Sequence, residues 1–72
     1  MTDVEALRNA IDASGYKLIL IAKKCGLTYQ GFQPKMNGER DFNQTEIATL
    51  QELLSLSTED VLRIFFAHNV DK

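Results

Sequence analysis

The residues able to make or break bonds are few in this 72-residue chain, and none stands in a pattern that covalent chemistry requires. Cys25 is the only cysteine, so it has no partner for an internal disulfide and offers zinc no second thiolate. On the core stripe of a short helix it reads as a small buried hydrophobe. His68 is the only histidine, with no cysteine or second histidine at ligand spacing, so it implies no metal and reads as a residue near the end of a C-terminal helix. Ser14, Ser55 and Ser57 stand at expected helix ends without a histidine base nearby, a placement that serves capping rather than nucleophilic attack. The carboxylates are dispersed, and no two pair as acid and base. No cofactor, metal or catalytic group is expected, which leaves non-covalent recognition.

The charges give that recognition a direction. Between residues 15 and 40 stand Lys17, Lys23, Lys24, Lys35 and Arg40 against Glu39 alone. The other segments hold only Arg8, Arg63 and Lys72 against nine carboxylates. The formal net charge of −2 therefore conceals an uneven distribution, and the chain is expected to show one basic face on an otherwise acidic body.

The elements that position these charges can be read from apolar spacing and capping signals. A chain of this length supports one hydrophobic core, so residues 1–72 are expected to form a single domain. A hydrophobic fraction of 44% with 25% charged residues is ordinary globular usage. Cores of this size leave ~3 to 5 kcal/mol of net stability, little to spare for a deep catalytic cavity, and an enzyme is not expected. No run approaches the roughly 18 apolar residues of a membrane span. Met1 is followed by Thr2, Asp3 and Glu5 rather than by a basic region and an apolar stretch, so a soluble protein of the cytoplasm is expected.

Five helices are predicted, giving an all-α class, and no segment alternates with the period of a strand. The first covers residues 3–14, with Val4, Leu7 and Ile11 at helical spacing, a capping box from Thr2 and Glu5, and Gly15 as its stop. The second covers about 17–25, with Ile21, Ala22 and Cys25 on one stripe and Gly26 at the bend. Thr28 caps a third that runs to Met36 and ends at Asn37-Gly38. Asn43 and Glu46 form a capping box for the fourth, flanked by Phe42 and Ile47 as a hydrophobic staple. Ser57 caps the fifth, with Leu56 and Val61 as staple, Phe65 in the core, and an end near His68.

The informative stretch is Ile21-Ala22-Lys23-Lys24-Cys25-Gly26-Leu27-Thr28-Tyr29-Gln30-Gly31-Phe32. Two helices that cross closely through a tight turn need a small residue where they touch, here Ala22, and one tolerant of positive φ at the bend, here Gly26. Leu27 plugs the corner and Phe32 anchors the next helix. With Lys35, Met36, Asn37, Gly38 and Phe42 following, this resembles the helix-turn-helix of the Cro and repressor regulators of temperate phages, along almost the whole chain. The resemblance implies a compact five-helix, lambda-repressor-like DNA-binding domain acting in a lysis and lysogeny switch in the host bacterial cytoplasm. By position it implies that Thr28, Tyr29, Gln30 and Gln33 face the bases in the major groove. The Gln30 amide suits a bidentate pair with adenine. Lys17, Lys23, Lys35 and Arg40 are implied as phosphate contacts. Such regulators commonly bind as dimers to half-sites about 34 Å apart. Phe66, next to Phe65, is a candidate either for a homodimer seam or for sealing the C-terminal end.

Two departures qualify this pattern. Pro34 lies six positions after Thr28 and removes the bond to the Gln30 carbonyl, at a usual cost of ~3 kcal/mol, and Gly31 adds about 1 kcal/mol. Leu18 stands where the family often has a polar phosphate contact, followed by Ile19 and Leu20, more apolar residues than one buried stripe needs. An apolar surface beside a basic corner suits a protein partner as well as DNA. The chain is accordingly also similar, in size and helix-turn-helix pattern, to the modulators of repression encoded beside the repressor in some lactococcal phages. That resemblance implies an anti-repressor that binds the lysogeny repressor and blocks its DNA-reading surface.

Overall fold

Each helix needs substitutes for the backbone partners its ends lack, and in this chain the substitutes sit close to where the spacing of polar residues puts them. The computed structural model describes residues 1–66, which form α1 (Val4–Ser14), α2 (Leu18–Lys24), α3 (Tyr29–Met36), α4 (Gln44–Leu53) and α5 (Thr58–Phe65). There is no strand among the described residues, so the five-helix, all-α expectation holds. No helix among them is long and apolar enough to cross a membrane. His68, and with it the expected end of the fifth helix, lies outside the described residues.

Asp3, Thr28, Asn43 and Ser57 accept hydrogen bonds from the backbone N–H groups of Ala6, Gly31, Glu46 and Asp60. The boxes at Asn43 and Ser57 are reciprocal, with Glu46 and Asp60 reaching back to the cap N–H groups at 2.9 and 3.2 Å. The Ser57 N–H, followed by the Arg63 guanidinium, holds the Asp60 carboxyl below its usual range. The first cap differs from expectation, since Asp3 rather than Thr2 accepts the Ala6 N–H, at 3.1 Å. The Asp3 N–H donates to the Ile64 carbonyl at 2.6 Å, and Thr2 is buried. Docking of the residues before α1 on the end of α5 thus moves the cap by one residue.

Three successive helices end in the same way. The N–H of Leu27 donates to Ala22 O, that of Glu39 to Pro34 O, and that of Leu56 to Gln51 O, at 2.9, 2.8 and 2.9 Å. In each case the preceding residue is left-handed: Gly26 at φ 77°, Gly38 at 84° and Ser55 at 56°. These are Schellman motifs, which turn the chain sharply while satisfying the last carbonyls. Pro34 does not interrupt α3, which continues to Met36.

The apolar faces converge on one core of Leu7, Ile11, Ile21, Ala22, Phe32, Met36, Phe42, Leu50, Leu54, Ile64 and Phe65. Phe42 is its hub, meeting Phe32 edge-on at 6.0 Å between centroids and Phe65 at 5.6 Å. Such edge-to-face pairs add about 0.5 to 1.5 kcal/mol each to the burial itself. Phe65 is therefore core, as its spacing from Val61 predicts, while Phe66 is exposed.

Ser55 is the one non-glycine residue with positive φ among the described residues. Its Cβ costs about 1 kcal/mol in that conformation, which glycine escapes. Ser55→Gly is expected to raise stability by up to that amount, measured by urea unfolding; an unchanged or lower midpoint contradicts the assignment.

Candidate functional site

The turn between α2 and α3 sets which residues reach solvent. Ala22 and Ile21 are buried in the core, whereas Lys23 and Lys24 on the same helix are exposed. Cys25 N–H donates to the Ile21 carbonyl and Leu27 N–H to the Ala22 carbonyl, so the corner is closed by backbone bonds. A methyl group at Gly26 meets nothing within 4 Å, which makes its φ, not crowding, the reason for glycine there.

Thr28 then starts α3. Its hydroxyl accepts the Gly31 N–H at 3.0 Å, and its remaining hydrogen is available to a partner. Phe32 and Met36, one turn apart, are buried, which rolls the helix so that Gln30 and Gln33 are exposed and Tyr29 is 40% exposed. Leu18, Tyr29, Phe32, Gln33 and Met36 line a small cleft of about 90 Å³ where the start of α2 meets α3. Three residues singled out from the sequence, Leu18, Tyr29 and Gln33, therefore lie together. Leu18 is half-buried against the core, while Ile19 is 65% exposed and Leu20 36%.

Arg8 on α1 also borders this cleft, donating through its guanidinium to the Asn37 side chain at 3.0 Å. In the sequence it falls in an acidic segment, among Asp3, Glu5 and Asp12. Only the packing of α1 against α3 brings it beside Gln33, and a contact spanning 29 positions leaves no local signal.

The expected cations divide. Lys17 is the cap position of α2, exposed and without a side-chain capping bond, and Lys23 and Arg40 are exposed as well. Lys35 is drawn inward instead. Its ammonium donates to both carboxylate oxygens of Glu46, at 2.6 and 2.8 Å, with both side chains largely buried. An ammonium so held has its charge matched within the protein, so the phosphate-contact role expected of Lys35 is replaced by a tie between α3 and α4. The reason is position: the side chain one place before core residue Met36 leans over the start of α4, where Glu46 already caps Asn43.

Cys25 is half-buried beside the same pair. Burial, reinforced by the Glu46 carboxylate and opposed by Lys35, pushes its thiol up to about 11. It stays protonated at neutral pH, unsuited to nucleophilic or redox work. Among the described residues no group of three or more His, Cys, Asp or Glu side chains could hold a metal ion. Comparison with protein-family models, with curated proteins and with solved structures finds no match to this chain.

Two outcomes test this geometry. Lys35→Met is expected to cost about 3 kcal/mol by leaving Glu46 buried and unpaired, whereas Lys23→Met stays within about 0.5 kcal/mol. Equal, small effects in thermal or urea unfolding contradict the inward placement of Lys35. Alkylation of Cys25 at pH 8 is expected to run about a hundredfold slower in the folded chain than in denaturant, and equal rates contradict the raised thiol.

Proposed function

We propose that this chain is a small phage-type transcriptional regulator, a non-enzymatic binding protein that reads operator DNA with the helix-turn-helix formed by α2 and α3. The observation that carries the reading is the roll of α3. With Phe32 and Met36 inside, Gln30 and Gln33 stand outside, beside Tyr29 and the free hydrogen of Thr28. Amide side chains near the start of an exposed helix match the donor and acceptor pattern that adenine shows in the major groove. Lys17, Lys23 and Arg40, joined by Arg8 at the cleft, supply charge for phosphates that position the helix without reading sequence.

A second reading rests on a different observation. Ile19, 65% exposed beside this corner, gains nothing from a phosphate backbone but would be covered by a protein. It favours a modulator that docks on the lysogeny repressor and masks its DNA-reading surface, with the acidic remainder of the chain attracted to a basic DNA-binding domain.

Gel shift on operator DNA from a neighbouring repressor gene, set against pull-down of that repressor, separates the two. For DNA, Gln30→Ala is expected to weaken binding by ~1 to 3 kcal/mol and relax preference at one base pair. The logarithm of affinity should fall steeply with that of salt concentration through several phosphate contacts. An unchanged footprint with a flat salt response, together with capture of the repressor lost in Ile19→Asp, replaces the operator reading with the second.

A further inference from the structure

Among the asparagines of the described residues, Asn9, Asn37 and Asn43, only Asn37 precedes a glycine. It caps the end of α3 and borders the cleft that also holds Tyr29 and Gln33. A side-chain amide in that position can be attacked by the backbone nitrogen that follows it, because glycine has no Cβ to crowd the nitrogen. Asn9 and Asn43 precede Ala10 and Gln44, which do have one.

The chemistry needs only base and water. Base takes the proton of the Gly38 N–H, and the nitrogen forms a bond to the side-chain carbonyl carbon of Asn37. The bond from that carbon to the amide nitrogen breaks, and ammonia leaves carrying the proton. Water then opens the five-membered ring at one carbonyl or the other. One product is aspartate at position 37; the other is isoaspartate, whose main chain is longer by a methylene.

The fold holds the reacting atoms apart. Ring closure requires the Gly38 nitrogen to eclipse the Cβ of Asn37, whereas ψ at Asn37 is 0° and eclipses it with the Asn37 nitrogen instead. At a tetrahedral Cα the two arrangements differ by about 120° of rotation. Three sets of hydrogen bonds oppose that rotation. The Gly38 N–H donates to Lys35 O at 3.3 Å, and the Glu39 and Arg40 N–H groups donate to Pro34 O at 2.8 and 3.2 Å. The Arg8 guanidinium donates to the Asn37 amide oxygen at 3.0 Å. All of them lie at the end of a helix that contains Gly31 and Pro34, and both Arg8 and Asn37 are exposed, so the site opens by local fraying rather than by global unfolding.

We propose that Asn37 is a site of spontaneous deamidation, opened by fraying at the exit of α3 and restrained by Arg8. Either product alters the same corner. A carboxylate at position 37 matches the Arg8 charge within the chain, and isoaspartate lengthens the backbone inside the closure that ends α3. The consequence for binding rests on the operator reading; the modification itself does not.

The full chain, held folded at pH 8 for days and then mapped by mass spectrometry for exchange of NH2 by OH, tests it. Conversion is expected at Asn37 ahead of Asn9 and Asn43, and at least about tenfold slower than in denaturant, because only the opened fraction reacts. Arg8→Ala is expected to speed conversion at Asn37 about threefold or more while Asn43 keeps its rate. Asn37→Gln should abolish the leading conversion. Equal rates in the folded and denatured chain, conversion led by Asn9 or Asn43, or an Asn37 rate unmoved by Arg8→Ala overturns the proposal. So does a rise at both asparagines, since Arg8 then acts on the whole fold. A gel shift with Asn37→Asp isolates the consequence: the salt dependence of operator affinity is expected to fall by about one phosphate contact. An unchanged salt dependence beside confirmed conversion at Asn37 contradicts the operator reading and leaves the modification site standing.

Discussion

One buried ion pair orients the surface on which the functional reading depends. The Lys35 ammonium spans both oxygens of Glu46, and one of those oxygens also accepts the Asn43 N–H that opens α4. A carboxylate buried this deeply is tolerable only when its lone pairs are occupied, and here a cation and a backbone donor occupy them. Because Lys35 belongs to α3 and Glu46 to α4, the pair couples the roll of one helix to the start of the next. Phe32 and Met36 set that roll by burial, and the ion pair adds direction, which apolar contact lacks. The outward edge with Gln30 and Gln33 is the consequence.

Backbone devices do much of the remaining work in so short a chain. Schellman closures end α2, α3 and α4 in turn, so each corner satisfies its own carbonyls and the core need not bury them. The proline in α3 fits the same scheme. It gives up a donor towards the exposed Gln30, but its carbonyl accepts from both Glu39 and Arg40, at 2.8 and 3.2 Å, and so organises the exit from the helix. A residue that weakens the middle of α3 thereby helps to define its end.

Much of this architecture is legible in the order of residues, because caps and apolar spacing are local. The boxes at Asn43 and Ser57, the cap at Thr28 and the stops at Gly15, Gly26 and Gly38 all require only neighbours within a few positions. Where long-range packing decides, local rules fall short. Thr2 looks like the first cap until the chain before α1 is seen bonded to Ile64, far along the sequence. Lys35 counts as one more cation until α4 brings Glu46 beneath it, and Arg8 belongs to an acidic segment until α1 crosses α3. Ser55 is a further instance: serine at an expected helix end reads as a cap, and its left-handed backbone emerges only with the closure of α4.

In the proposed reading, the exposed edge of α3, held outward by Phe32, Met36 and Lys35, is the surface that meets the partner. Amide chemical-shift mapping of the labelled chain during titration with operator duplex addresses it residue by residue. The largest changes are expected at Thr28, Tyr29, Gln30 and Gln33, with Arg8 and Lys17 beside them, while α5 stays still. Changes confined to α4 and α5, with α3 unmoved, would contradict it.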